Sequence, residues 1–166
     1  ALAEGFVRTG HDVSLGTRDV HETMVRTLDG APASFAEWLA ENPSVALADF
    51  ASVAGAADVV VNATNGSGTL AALTEAGAAN LAGKVLLDVS NPLDFSNGFP
   101  PTLTVKDTDS LGEQIQRAFP QTHVVKTLNT LNASLMVNPK ELGAESSVFV
   151  SGNDATIAAL QLIIAG

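Results

Sequence analysis

The chain contains no cysteine and no tyrosine, and each absence removes a class of chemistry. Without cysteine there is no disulfide framework, no thiolate metal ligand and no cysteine nucleophile, which agrees with the cytoplasmic location expected here. Without tyrosine there is no Tyr–Lys acid/base pair of the kind many carbonyl reductases depend on. Basic residues are scarce: 8 Lys and Arg stand against 18 Asp and Glu, a formal charge of −10. Nucleic acid and anionic membrane both need a basic face, so neither is an expected partner. No apolar run approaches the ~18 residues that cross a bilayer. His11, His21 and His123 are scattered without metal-ligand spacing, so no metal site is expected.

What is present is a 166-residue chain with 46% apolar residues, enough for one domain with a real core. Apolar periods alternate along it. Residues 1–9 read as a helix with Leu2 and Phe6 on one face and Gly10 as its stop. A short strand follows in Asp-Val-Ser-Leu-Gly, then a weak helical stretch over 20–29. Ser34 and Glu37 form a capping box for a helix carrying Trp38, read as a core or subunit contact. Beyond lie a strand at 45–49, a short helix from Asp49, and a strand at 59–63. A helix over 69–81, a strand at 85–89 and a Pro-, Gly- and Asn-rich lip over 91–101 come next. Asp109 is expected to cap a helix over 110–119, followed by a strand at 123–126 and a helical turn after Asn132. A last strand ends near Gly152, and a final helix is capped by Asp154. The strands at 59–63, 85–89 and 123–126 are apolar on both faces, the mark of a parallel sheet covered by helices on each side. The predicted fold is a doubly wound parallel-sheet α/β domain of the Rossmann-like type, occupying all of 1–166.

The turn after the first strand carries the functional signal. In open α/β sheets ligands bind at the carboxyl ends of the strands. A dinucleotide-binding unit ends its second strand beside the adenosine ribose, with Asp or Glu there for NAD. A hydroxyl and a guanidinium instead suit the 2′-phosphate of NADP. Here the strand ends Gly16-Thr17-Arg18. Thr17 and Arg18 are therefore candidate phosphate-binding residues, against a solvated turn with a surface arginine; Asp19 keeps an NAD-like site open. The glycine-rich turn that should precede such a strand is not in the sequence, and the chain opens inside a helix. The expectation is a fragment, truncated at the N-terminus and also at the C-terminus, lacking its first strand and glycine turn. The strand from Val59 is then expected to flank that missing strand at the centre of the sheet.

Other stretches are weighed more simply. Asn65-Gly-Ser-Gly lacks the third glycine and the Lys-Ser/Thr of a triphosphate loop, so Ser67 is read as a helix cap. Lys126 is read as a solvated strand-end lysine, and Asp88 as pairing with backbone amides.

Taken in order, Gly10-His-Asp-Val-Ser-Leu-Gly-Thr-Arg-Asp19, Ala57-Asp-Val-Val-Val-Asn-Ala-Thr64, Leu86-Leu-Asp-Val-Ser-Asn-Pro-Leu93 and His123-Val-Val-Lys-Thr-Leu-Asn-Thr-Leu-Asn-Ala-Ser-Leu-Met136 resemble the F420-dependent NADP oxidoreductase family. The same segments are similar to the NADPH-binding domain of six-transmembrane metalloreductases. The resemblance implies NADP as cofactor and hydride transfer to or from a deazaflavin, coenzyme F420, or a flavin. It assigns the 2′-phosphate to Thr17 and Arg18. It places Ala63, Thr64 and Asn65 along the cofactor, with Ser90, Asn91 and Pro92 at the next strand end. Asn129 and Ala133 lie in the segment closing over the nicotinamide. A basic residue often found a few positions beyond the Thr-Arg pair has no match; Glu22 stands there. Such chemistry is carried by the two cofactor rings, so no catalytic dyad is expected. Rival expectations are an NADPH-dependent reductase of another acceptor (flavin, imine or metal chelate), and a nucleotide-binding sensor or docking module without turnover. Partners are small molecules, with a homodimer left open.

Overall fold

The computed structural model describes residues 1–27, 34–143 and 147–153. Helix α1 (Leu2–Arg8) ends at Thr9, and Gly10 follows with φ +90°, the left-handed turn that sends the chain into β1 (Val13–Thr17). Helix α2 (Val20–Val25) starts at Asp19, whose carboxylate accepts from Glu22 N at 2.8 Å, and it stops short of residue 29. Helix α3 (Phe35–Glu41) carries the anticipated capping box: Glu37 N donates to Ser34 Oγ at 3.2 Å, and Ser34 N to Glu37 Oε2 at 2.7 Å. Its Trp38 stacks on Phe35 and donates Nε1–H to Glu4 Oε1 at 2.7 Å, tying α3 to α1. That bond is the main reason the Glu4 carboxyl titrates below its usual range.

Strand β2 (Val45–Asp49) runs parallel to β1, with Val13 opposite Val45 and Thr17 opposite Asp49. After α4 (Phe50–Ala56) comes β3 (Val59–Asn62). The helix expected over 69–81 is two: α5 (Thr69–Ala76) and α6 (Ala78–Leu81), divided where Gly77 adopts φ +91° and ends the first ladder. Strand β4 (Val85–Asp88) leads into the lip, which is a small antiparallel hairpin of β5 (Leu93–Asp94) and β6 (Thr102–Leu103) rather than an irregular loop. Then follow α7 (Leu111–Ala118), β7 (His123–Thr127), α8 (Ala133–Val137) and β8 (Val150–Gly152). The helix expected after Asp154 lies outside the described residues.

The main sheet has the order β3-β4-β7-β8. Its first three strands are parallel, and β8 runs antiparallel to β7, with Thr127 opposite Val150. The chain leaves β7 at Thr127 and pairs again beside that same residue, so without a crossover it can only run back. No ladder joins β1 to β3 among the described residues. Strand β3, expected to flank a first strand missing from this chain, is the terminal strand of its sheet among the described residues, and Val59, Val60 and Val61 are half-buried. Strands β4 and β7 do bury both faces. Leu86 and Val124 join Ala54, Leu73, Leu81, Ile115 and Phe119 beneath α4–α7. Leu87 and Val125 pack on the opposite face with Leu2 and Val150. Each fully buried Leu, Ile or Val of these contributes about 1.5–3 kcal/mol by leaving water. The result is the Rossmann-like α/β architecture.

Ser110, not Asp109, caps α7: Glu113 N donates to Ser110 Oγ at 3.2 Å. Asp109 is drawn instead to Arg117 Nη2 at 2.7 Å and Gln114 Nε2 at 3.1 Å. Chiefly through the Arg117 hydrogen bond, its pKa falls from 3.8 to about 2. A depressed carboxyl pKa adds stability above the unfolded value and loses it as pH falls through the folded one. Followed by carboxyl NMR, Asp109 is expected to stay ionised down to about pH 3 and to titrate near its ordinary value in Arg117→Ala. An unchanged midpoint in that variant would assign the shift to Gln114 and the backbone instead.

Candidate functional site

The carboxyl ends of the parallel strands carry two polar centres joined by α5. The first lies at the end of β1. Gly16 allows α4 to close on this strand end: a Cβ there would lie 2.7 Å from Val53 Cγ2 and 2.9 Å from Phe50 Cδ1. The Thr17 hydroxyl sits 2.6 Å from Thr23 Oγ1, and its second contact is Asp19 O at 3.4 Å. Arg18 is 69% exposed and donates Nε–H to Glu75 Oε1 at 3.1 Å. So exposed an ion pair contributes about 0–1 kcal/mol, enough to orient the guanidinium but not to lock it. Because the bond uses Nε, the terminal Nη edge makes no hydrogen bond among the described residues. Asp19, adjacent in sequence, directs a carboxylate oxygen at the α2 amide of Glu22.

The second centre spans β3, β4 and β7. Their register places Asn62 beside Asp88 and Asp88 beside Lys126, a polar rung at the ends of three apolar strands. Asp88 is fully buried. Its Oδ1 accepts from Asn62 Nδ2 at 2.7 Å, Ser90 Oγ at 2.7 Å and Ser90 N at 3.2 Å. Its Oδ2 accepts from Lys126 Nζ at 2.8 Å, and the same ammonium donates to the Ser90 carbonyl. Lys126, expected in solvent, has a side chain only 22% exposed, because its ammonium is drawn in to this buried carboxylate. Asp88 takes one backbone amide, of the kind expected, and three side-chain donors besides.

The sequence-predicted residues sit on loops springing from this rung. Ala63 and Asn65 are exposed and Thr64 is half-buried. The Thr64 hydroxyl donates to Asn62 Oδ1 at 2.7 Å and lies 3.1 Å from Thr69 Oγ1. Asn65 Oδ1 accepts from Ser67 N at 3.2 Å and caps the 3-10 turn Gly66–Gly68. Ser67 is thus the capped residue and not the cap, since an Asn side chain reaches the amide two positions on; α5 has Gly68 at its N-cap position and no side-chain cap. Gly66 N donates to Asn91 O at 3.2 Å, bringing the β3 loop against the β4 loop.

Asn91 reaches the exit of β7: its Nδ2 donates to Asn129 O at 2.7 Å, and Asn129 Nδ2 returns a bond to Asn91 Oδ1 at 3.2 Å. This exit is tightly bent. Leu128 has φ +60°, a left-handed conformation costing about 1–2 kcal/mol for a non-glycine residue. Asn129 N bonds back to Thr127 O at 2.7 Å. Ala133 opens α8 as an exposed methyl group behind the Asn132 cap. A cleft of about 350 Å³ lies between α8 and α1, lined by Ser134, Val137, Asn138 and Glu141 on one side and Ala1, Glu4 and Arg8 on the other.

Asn91 and Asn129 are therefore in direct contact, and the Asn65 turn meets Asn91 through Gly66. Thr17 and Arg18 stand apart; Arg18 bonds to Glu75 near the end of α5, roughly 9 Å along the helix axis from Thr69. Sequence reasoning missed Asn62, Thr69, Glu75 and the Asp88–Lys126 pair as site components. A signal existed in the strands themselves: Val-Val-Val-Asn, Val-Leu-Leu-Asp and His-Val-Val-Lys each place a polar residue fourth. Among the described residues no cluster could hold a metal ion, and no helix is long and apolar enough to cross a membrane.

The fold has counterparts among solved structures. A protein from Arthrobacter sp. FB24, provisionally named an F420-dependent NADP reductase, superposes with a TM-score of 0.92 at 56% sequence identity. The match covers 99% of this chain and 73% of that one. A hypothetical protein from Sinorhizobium meliloti matches with a TM-score of 0.73 at 23% identity, over 99% of this chain and 73% of its own. A provisionally named oxidoreductase from Pseudomonas putida KT2440 matches with a TM-score of 0.65 at 15% identity, over 98% and 46%. At those identities the latter two share the fold alone. No family model matches the chain, and no curated protein sequence does.

Proposed function

The chain belongs to the F420-dependent NADP reductase family, and from that membership we propose that it binds NADP(H) and moves hydride between the nicotinamide and a deazaflavin of the F420 type. The observation that carries this reading is the end of β1, where a hydroxyl and an exposed guanidinium stand in place of the carboxylate an NAD site would use. The residues fit the cofactor. Arg18 keeps its Nη edge open for a bidentate contact to a 2′-phosphate, and Thr17 adds a hydroxyl beside it.

At the other centre, Thr64, Asn65, Asn91 and Asn129 offer amide and hydroxyl groups at the strand ends where a nicotinamide would lie. When bound, the nicotinamide itself supplies the hydride chemistry. The chain contributes orientation, since Asn91 and Asn129 brace two loops against each other, and shelter from water by those loops and the 93–103 hairpin. On this reading residues 1–166 act as one cofactor-binding unit that works in the cytoplasm on small molecules.

The test is a hydride-transfer assay of the full-length protein with NADPH against F420, FMN and FAD. Turnover with F420 at least about tenfold above either flavin is the expected result, the order that a fitted ring pocket gives over an ill-fitting one. Faster turnover with a flavin would reassign the acceptor, and NADPH binding without turnover of any of the three would favour a sensor.

A further inference from the structure

The Asp88–Lys126 pair lies beneath the loops assigned to the cofactor, and none of the proposed contacts uses it. Burying a carboxylate and an ammonium is costly, and an apolar pair of similar volume often serves stability as well or better. Leu86 and Val124, two positions earlier on the same two strands and so on the same face, show that this part of the sheet accepts such residues. The charged pair is distinguished by what it holds. Ser90 is gripped on every polar atom: its N–H and hydroxyl bond to Asp88 Oδ1, and its carbonyl accepts from Lys126 Nζ. The peptide leaving Ser90 belongs to Asn91, whose side chain is locked reciprocally to Asn129. Lys126 is the last residue but one of β7, two positions before Leu128, where the chain bends toward Asn129. One ion pair thus sets the position of both loops that face the proposed nicotinamide site.

Resting on the hydride-transfer reading above, we infer that Asp88 and Lys126 are positioning residues for that reaction. They act through Ser90 and Asn91, holding the β4 and β7 exits at the separation the ring requires. Displacements near 1 Å in such a site can cost about 100-fold in rate, so a brace of this kind belongs in the rate and not only in the stability.

The test uses full-length protein with Lys126→Met and with the double variant Asp88→Asn, Lys126→Met. The single variant leaves a buried carboxylate without its cation and is expected to lose thermal stability. The double variant keeps the Asn62 and Ser90 bonds without a net charge and is expected to recover most of it. In both, the Ser90 carbonyl has lost its donor. The expected result in the folded double variant is a kcat about tenfold below wild type, a KM for NADPH within about threefold, and a larger isotope effect with deuterated NADPH as hydride transfer becomes limiting. A double variant with wild-type kcat and isotope effect would overturn the inference and leave a purely structural pair. Wild-type protein that transfers no hydride from NADPH would instead overturn the functional reading, and the inference with it.

Discussion

Arg18→Ala in the full-length protein is expected to weaken NADPH binding roughly 10- to 150-fold while changing NADH binding little. That range corresponds to about 1.5–3 kcal/mol for a charge-assisted contact to the 2′-phosphate. The structure shows why the contact is available: the guanidinium is 69% exposed, and Glu75, its partner among the described residues, takes Nε. Giving up so exposed an ion pair costs about 1 kcal/mol at most, so a dianionic phosphate outcompetes it readily. Asp19, Glu22 and Glu75 are all nearby carboxylates, which pulls the expected effect toward the lower end. Thr17→Ala is expected to cost less, about 0.5–1.5 kcal/mol, because its hydroxyl is neutral and already bonded to Thr23. Titrating wild type and variant with both cofactors at one fixed salt concentration decides the matter. Equal losses for NADPH and NADH would assign Arg18 to adenine, and no loss for either would make it a surface residue.

Gly66→Ala is expected to destabilise the protein by about 3 kcal/mol, the upper end of the range for an overpacked site. Gly66 is buried, and a Cβ there would lie 2.5 Å from both Asn91 C and Pro92 N, and closer still to Asn91 O. These neighbours are backbone, so no rotamer change relieves the overlap; the two loops must separate and the Gly66 N–H to Asn91 O bond must stretch or break. Gly68→Ala is the internal control, since nothing lies within 4 Å of its would-be Cβ and its φ is −96°. There the effect should stay within about 0.5 kcal/mol of wild type. Denaturant titrations that return similar midpoints for the two variants would mean that the β3 and β4 loops are farther apart than described. Because Asn91 is a proposed cofactor contact, Gly66→Ala should also weaken NADPH binding in whatever fraction remains folded.

Several elements were legible because their causes are local. The Ser34–Glu37 capping box is a spacing of three residues, and both of its hydrogen bonds form. The runs Val59–Val61, Val85–Leu87 and Val124–Val125 announce strands, and the alternation of such runs with helical periods announces a Rossmann-like sheet. Local signals also misled where two residues could do one job. Asp109 and Ser110 are both good caps, and only the arrival of Arg117 one helix face away decides between them. Ser67 and Asn65 present the same ambiguity, settled by which side chain reaches which amide.

Length, charge, the alternation of strands with helices and the order of the quoted segments were enough for the sequence by itself to determine an acidic α/β protein of the family those segments resemble, whereas Thr17 and Arg18 as readers of a 2′-phosphate are a proposal. Tertiary structure alone decided what those residues touch. The partner of Arg18 is Glu75, 57 residues away, and that of Asp88 is Lys126, 38 residues away. Strand register made Asn62, Asp88 and Lys126 neighbours, and a one-residue slip in any of the three strands would have turned each polar side chain to the opposite face. Register follows from packing both faces of the sheet at once, a global condition that no window of sequence contains. The polar centre at the strand ends is therefore written in the fold, whereas the residues that build it are written singly in the chain.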